Sequence, residues 1–277
     1  MPELMGPSEA LAVVPTGKAP RIVAVANQKG GVGKTTTAIN LATGVAAVGK
    51  RVLIVDLDPQ GNASTGLGIA RASRQTGSYE LLMGFAPLAE AIQDTAVPGL
   101  FVVPSTADLS GAEIELIDLE RRSFRLRDAL LPGAEGFDYL FIDCPPSLGL
   151  LTINALVAAD SVMVPLQCEF FALEGLSMLM GTIERLKRAY NPALEIQGIV
   201  LTMFDGRNNL AGQVAADVRG HLGDKVYETV IPRNVRISEA PSHGVPALLY
   251  DHHCAGSLAY MRLASEMLRR DASLRVA

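Results

Sequence analysis

The sequence predicts a single-domain α/β fold, a mostly parallel central sheet with helices on both faces. Three observations carry this expectation. Near-continuous apolar runs at residues 22–26, 52–55, 101–103, 139–142, 162–164, 199–201 and 226–231 recur with helix-like stretches between them. Such unalternated strands belong to parallel sheets covered on both sides. No Pro/Gly/Ser-rich linker or block of charge divides the 277 residues after position 20, and a 49% hydrophobic composition can supply one substantial core. Finally, the first run opens into a glycine-rich turn followed by Thr35, Ala38, Leu41, Ala42 and Val45 at helical spacing.

That turn, "ANQKGGVGKTTTAIN" at residues 26–40, joins a strand to a helix. It aims a row of backbone N–H groups and the positive end of a helix dipole at one spot, which suits a phosphate. Gly33, Lys34 and Thr35 match the end of the phosphate-loop (P-loop) pattern, in which the lysine reaches the outer phosphates and the hydroxyl binds magnesium. The start departs from the pattern: Gln28 stands where glycine is wanted, and Lys29 follows it. The candidate nucleotide-holding residues here are Lys29, Gly30, Gly31, Val32, Gly33, Lys34, Thr35 and Thr36.

In open parallel sheets ligands bind at the carboxyl ends of the strands, so the carboxylates should be sought there. The run "RVLIVDLDPQGNAS" ends in Asp56 and Asp58, two apart and so on one side of an extended chain, before Pro59 and Gly61 break it. Asp58 is the candidate for orienting the water that attacks a γ-phosphate, with Asp56 the next choice. In "YLFIDCPPS" four apolar residues deliver Asp143 to the same edge. This is the Walker B arrangement, an acid held near magnesium and often acting through water, so Thr35 and Asp143 form the candidate metal pair.

Other features narrow the setting. Residues 1–20, with Pro2, Pro15 and Pro20 and no periodicity, are expected to form a mobile tail, residues 21–270 the domain, and 271–277 a short C-terminal tail. The start lacks the basic and apolar regions of a secretory signal. No stretch reaches the roughly 18 uncharged apolar residues of a membrane span. Cys144, Cys168 and Cys254 are an odd, widely spaced set, which points to a reducing cytoplasm over a disulfide framework. "RRSFRLR" at 121–127 reads as a solvated helix with Asp118 paired to Arg122 four residues on. His252 and His253, adjacent and so pointing apart on regular structure, make no metal site.

Together, "KGGVGKTTTAIN", "VDLDPQGNAS", "FIDCPPS" and "VIPRNVRISEAPSHG" resemble the ParA/Soj group of chromosome- and plasmid-partitioning ATPases, within the deviant Walker A superfamily that also contains MinD. The resemblance spans about residues 21–270, and "PRNVRISEAPS" makes it specific to that group. It implies a cytoplasmic, nucleoid-associated ATPase of P-loop fold that uses ATP and magnesium and forms a homodimer with two ATP molecules sandwiched at the interface. Lys29 would then reach the partner's phosphates, coupling association to nucleotide state. By the same resemblance Glu169 of "QCEFFALEG" lies near the interface and touches the partner's nucleotide, while Pro232 and Asn234 offer adenine an apolar face and an amide. The group binds DNA without sequence preference and is released on hydrolysis stimulated by a ParB-type centromere-binding protein.

Net charge is −5, but residues 201–277 hold nine Lys/Arg against eight Asp/Glu. Arg207, Arg219, Lys225, Arg233 and Arg236 are the candidates for a basic stripe on the dimer, with Arg207 and Arg236 foremost; such backbone binding weakens steeply with salt. Rival readings lack their marks. A MinD-like regulator positioned at a membrane would end in a basic amphipathic helix with bulky apolar residues, where this chain ends "LRRDASLRVA". A reductase resembling the nitrogenase iron protein needs cluster-ligating cysteines. A ligase resembling dethiobiotin synthetase would have no use for Lys29.

Overall fold

The computed structural model describes residues 19–274, so all but the last two residues of the tail expected over residues 1–20 lie outside the described residues. Seven strands, β1 (Arg21–Val25), β2 (Val52–Asp56), β3 (Gln93–Asp94), β4 (Leu100–Val103), β5 (Tyr139–Asp143), β6 (Ser161–Gln167) and β7 (Glu195–Thr202), form one sheet in the order β3-β4-β2-β5-β1-β6-β7. All pairings are parallel except that of β3 with β4.

Six of the seven apolar runs are strands. The seventh, 226–231, forms no continuous ladder: it meets β7 at the isolated bridge of Ile199 with Val226 and through the Tyr227 and Ile231 N–H groups, which donate to the Ile199 and Leu201 carbonyls at 2.9 and 2.8 Å. The reason lies in its hydrogen bonds: the Glu266 carboxylate accepts from the backbone N–H groups of Glu228 and Thr229 at 2.8 and 2.9 Å, so a side chain replaces the strand ladder there. The two-residue edge strand β3 carries no apolar run and was not expected.

Residues along each strand alternate between two cores. Ile22, Ala24, Leu53, Val55, Leu140 and Ile142 face one side, with Leu156, Leu179 and Val218 from the helices Leu150–Ala158, Ala172–Ala189 and Asn209–Leu222. Val23, Val25, Ile54 and Phe141 face the other, packed on Leu41 and Val45 of the helix Lys34–Ala46 and on Leu263 and Met267 of the helix Ala255–Leu274. Burial on both faces is why these strands read as unbroken apolar runs.

Three local expectations are corrected. The C-terminal tail was placed from 271, but the last helix runs to Leu274 and Asp271 is buried, accepting from Tyr139 Oη at 2.9 Å and Gln197 Nε2 at 2.8 Å. The pairing of Asp118 with Arg122 fails because the chain turns extended at Leu119; Arg122 donates to the Ile117 carbonyl, Arg121 pairs with Asp128, and a helix starts only at Arg125. His252 and His253 lie in a turn, where their rings come together with centroids 3.9 Å apart instead of pointing apart. Among the described residues no helix is long and apolar enough to cross a membrane, and the three cysteines are unpaired.

Removing the Asp271 carboxylate strands two buried donors, so Asp271→Ala should lower unfolding stability by about 3 kcal/mol. Urea unfolding of the full chain measures this. A value within error of the parent would return residues 271–274 to the status of a tail.

Candidate active site

Strand register brings the site together. Asp143 at the end of β5 lies opposite Asp56 at the end of β2 and opposite Val25 at the end of β1. All three chains leave the sheet at one edge, level with one another.

Beyond Val25 the loop is held from both sides. Asn27, which is buried, donates to the Pro165 carbonyl at 2.7 Å and accepts from the Lys29 N–H at 3.0 Å. The Thr202 hydroxyl, at the end of β7, donates to the Val32 carbonyl at 2.8 Å. Gly33 caps the Lys34–Ala46 helix with φ +86°, a left-handed conformation that strains any residue bearing a Cβ. Its carbonyl accepts from the Thr37 N–H at 2.9 Å, which starts the helix and leaves the first N–H groups free for a ligand.

The two lysines of this loop have different surroundings. Lys34 is 7% exposed, and its Nζ donates to the Lys29 carbonyl at 3.1 Å. Burial pushes its pKa down, while Asp143 and Asp58 pull the other way. Lys29 instead points outward and forms an ion pair with Glu169, both side chains about half exposed. Two residues singled out separately in the sequence thus meet.

Each carboxylate is used differently. Asp56 is fully buried and accepts from the Ser64 N–H at 2.7 Å and the Ser64 hydroxyl at 2.6 Å. Burial lifts its pKa to about 6 although both Ser64 bonds favour the ionised form. With its oxygens occupied, Asp56 anchors the short helix Asn62–Gly66. Asp58 is 7% exposed and begins a tight turn: its Oδ1 accepts from the Gln60 N–H at 3.0 Å and its carbonyl from the Gly61 N–H at 2.9 Å. Asp143 is fully buried, and neither of its oxygens has a hydrogen-bond partner. Burial, then Asp56, raises its pKa well above the ordinary range; the Thr35 hydroxyl and Lys34 act in the opposite sense.

An orphaned buried carboxylate beside a hydroxyl and a buried lysine is an arrangement that calls for a cation or a bridging water. Among the described residues no three His, Cys, Asp or Glu side chains converge as a metal cage. That fits magnesium, which keeps waters and phosphate oxygens as most of its ligands and takes one or two groups from the protein.

A family model described as an AAA domain matches residues 20–196. The chromosome partitioning protein ParA of Caulobacter vibrioides is 64% identical over 253 residues, 91% of this chain and 95% of that protein. The sporulation initiation inhibitor protein Soj of Bacillus subtilis is 53% identical over 247 residues, 89% of this chain and 98% of that protein. This chain belongs to the ParA/Soj family of partitioning ATPases.

Among solved structures, a cobyrinic acid a,c-diamide synthase from Mycobacterium smegmatis with bound ADP and magnesium superposes with a TM-score of 0.79 at 37% identity, covering 92% of this chain and 96% of that one. The Pyrococcus furiosus cell division ATPase MinD superposes at 0.75 with 26% identity, covering 90% and 98%. The same fold therefore occurs in proteins of different function, and the far higher identity to ParA and Soj decides the family.

The remaining candidates of this ParA/Soj-family chain are dispersed. Pro232 and Asn234 line a cavity of about 200 Å³ with Gly33, Thr36 and Tyr260. Asn234 Oδ1 accepts from the Ile237 N–H at 3.3 Å and so caps the Val235–Glu239 helix, which leaves its amide N–H groups as donors. The five basic residues do not form one stripe within a protomer. Arg207 grips Asp205 at 2.9 and 2.7 Å, pulling that carboxyl down to about 2 with a smaller contribution from Arg233, and Arg236 pairs with Glu239 at 2.9 Å and Asp251 at 3.7 Å. Arg219 and Lys225 instead line a cavity of about 650 Å³ with Arg21 and Glu195, which start β1 and β7 at the opposite edge of the sheet.

Sequence reasoning missed Asn27, Ser64 and Thr202. Only Asn27 had a local signal, an asparagine two residues before a turn, where its side chain commonly binds the backbone.

Asp143→Asn tests the cation site. An acid whose folded pKa exceeds its unfolded value near 3.9 destabilises the native state as pH rises through that window, because the native state holds the proton more tightly. The stability advantage of Asp143→Asn over the nucleotide-free parent should therefore grow from about pH 4 upward, while magnesium ceases to strengthen nucleotide binding. A pH-independent difference in stability, with the magnesium effect intact, would remove Asp143 from the metal site.

Proposed function

We propose that this chain is a partitioning switch: an ATPase that, with ATP and magnesium, dimerises, binds DNA without sequence preference, and is released by hydrolysis. The observation that carries it is the division of labour between two lysines of one loop. Lys34 is turned inward among the carboxylates and Lys29 outward to Glu169. A loop serving only its own nucleotide needs the first and has no use for the second.

Lys34, with the loop N–H groups of residues 30–36, holds the outer phosphates. The Thr35 hydroxyl and, through water, Asp143 hold magnesium, which when bound neutralises phosphate charge. Asp58 orients the attacking water from its turn at the end of β2. Pro232 and Asn234 receive the adenine. Lys29 leaves Glu169 and crosses to the partner's phosphates, an exchange that costs little because the exposed pair is worth at most about 1 kcal/mol. Glu169 then faces the partner's nucleotide at the interface.

For DNA, Arg207, Arg233 and Arg236 share the nucleotide edge of the sheet, so dimerisation there brings two such groups into one assembly. Their present partners Asp205, Glu239 and Asp251 yield readily to phosphate because the pairs of Arg207 and Arg236 are solvent-exposed. Arg219 and Lys225, at the far edge, contribute as a second and weaker patch. A ParB-type partner stimulates hydrolysis, and the protein works in the cytoplasm on the nucleoid. The names of the ParA and Soj relatives support this reading.

Lys29→Ala should bind ATP as a monomer and fail to dimerise, as measured by light scattering with and without ATP. Normal dimerisation would make Lys29 a bystander.

Asp58→Ala should bind ATP, dimerise and accumulate on DNA, with hydrolysis reduced roughly a hundredfold or more. DNA co-sedimentation with ATP, ADP and no nucleotide, alongside phosphate release, tests both halves of the switch. Equal sedimentation in all three states would eliminate the switch, and parental hydrolysis by Asp58→Ala would move the water-orienting role elsewhere.

A further inference from the structure

Arg74 belongs to none of the motifs above, yet it is only 7% exposed. Its Nε and Nη2 donate to the Ile69 carbonyl at 3.1 and 2.7 Å, and Nη2 also donates to the Thr65 hydroxyl at 2.8 Å. Nη1 donates to the carbonyls of Gly61 and Ser105, each at 3.3 Å. Every one of these acceptors is neutral. A guanidinium buried among neutral oxygens is costly to place, and a well-packed apolar side chain could fill the volume at lower cost.

What the guanidinium does is tie the turn and the helix after it, already joined by the Thr65 N–H and hydroxyl donating to the Gly61 carbonyl at 3.0 and 2.9 Å, to the Ser105 segment, which is distant in the chain. Gly61 ends the turn that begins at Asp58, Thr65 and Ile69 follow in and beyond the next helix, and Ser105 lies on the chain leaving β4. A second bond runs in parallel, from the Ser105 N–H to the Ser64 hydroxyl at 3.0 Å, and that hydroxyl donates to Asp56. Gly61 has φ +63°, and a Cβ there would stand 2.4 Å from Arg74 Nη1, so the backbone of the turn lies directly against the guanidinium. The start of the turn is fixed by β2; its far end is held by Thr65, and Arg74 braces both Gly61 and Thr65 against Ser105.

We propose that Arg74 is a positioning residue for hydrolysis: by bridging the Gly61 carbonyl to the Ser105 carbonyl, it holds the turn that carries Asp58 at a constant reach from the phosphate loop. The inference rests on Asp58 as the water-orienting group. Lysine cannot replace it, because a single ammonium has three donors at one point where the guanidinium has five in a rigid fork. Misplacement of a reacting group by about 1 Å can cost a hundredfold in rate without loss of binding.

The test compares Arg74→Lys, Gly61→Ala, Asp58→Ala and the double variant Asp58→Ala/Arg74→Lys in the full chain, by single-turnover ATP hydrolysis and by ATP affinity. Arg74→Lys and Gly61→Ala should each slow hydrolysis roughly ten- to a hundredfold with ATP affinity unchanged. The double variant should be no slower than Asp58→Ala alone. Parental hydrolysis in Arg74→Lys, a parallel loss of affinity, or a further loss in the double variant each overturns the proposal while leaving Asp58 in its role. Parental hydrolysis in Asp58→Ala overturns both. Should Arg74→Lys fail to fold, Gly61→Ala carries the same comparison, with full hydrolysis as the refuting result.

Discussion

Everything at this site depends on three parallel strands ending level. The register that sets Asp143 opposite both Asp56 and Val25 brings two carboxylates and a phosphate-binding loop to one edge before any side chain is chosen. Buried acids placed this close cannot all be ionised without partners, so each one's role follows from what neutralises it. Asp56 is answered by Ser64 and becomes structural. Asp58 stands one step past the strand, in a turn that gives its carboxylate one backbone donor. Asp143 has no close hydrogen bond and only the Thr35 hydroxyl and Lys34 nearby to favour its charge, which leaves it the acid most in need of a cation or water.

The loop resolves a similar conflict between two cations. Lys29 and Lys34 stand five residues apart on one turn, and their side chains leave it in different directions. Burial and the nearby acids hold Lys34 inside, and Asn27 fixes the Lys29 backbone so that its side chain leaves on the outer surface, where Glu169 meets it. An exposed ion pair is a weak restraint, so Lys29 is held far less firmly than Lys34.

Shared architecture is compatible with the different activities named for the solved neighbours. A phosphate loop at the carboxyl edge of a parallel sheet is a general device for holding a nucleotide, and the surrounding surface decides what its hydrolysis is coupled to. In this chain that surface carries Lys29, Glu169 and the arginines near β7, features outside the phosphate chemistry itself.

The sequence by itself determined the α/β class, six of seven strands, the loop and the three candidate acids, because a strand buried on both faces must be apolar throughout and a phosphate turn must contain glycine at fixed places. Those are local requirements, visible within a dozen residues. Only the tertiary structure decided which acid remained free, since Ser64 reaches Asp56 through a fold of the chain that no spacing announces. It likewise decided that the N–H groups of Glu228 and Thr229 would go to Glu266 and interrupt the pairing of 226–231 with β7, and that the last helix would continue through Asp271 to close on Tyr139 and Gln197. It separated Arg219 and Lys225 from Arg207, Arg233 and Arg236, because the intervening helix carries the chain back across the whole height of the sheet. Charge and hydrogen-bond partners are settled by whichever groups arrive from elsewhere in the chain, and a sequence records the groups without recording the arrivals.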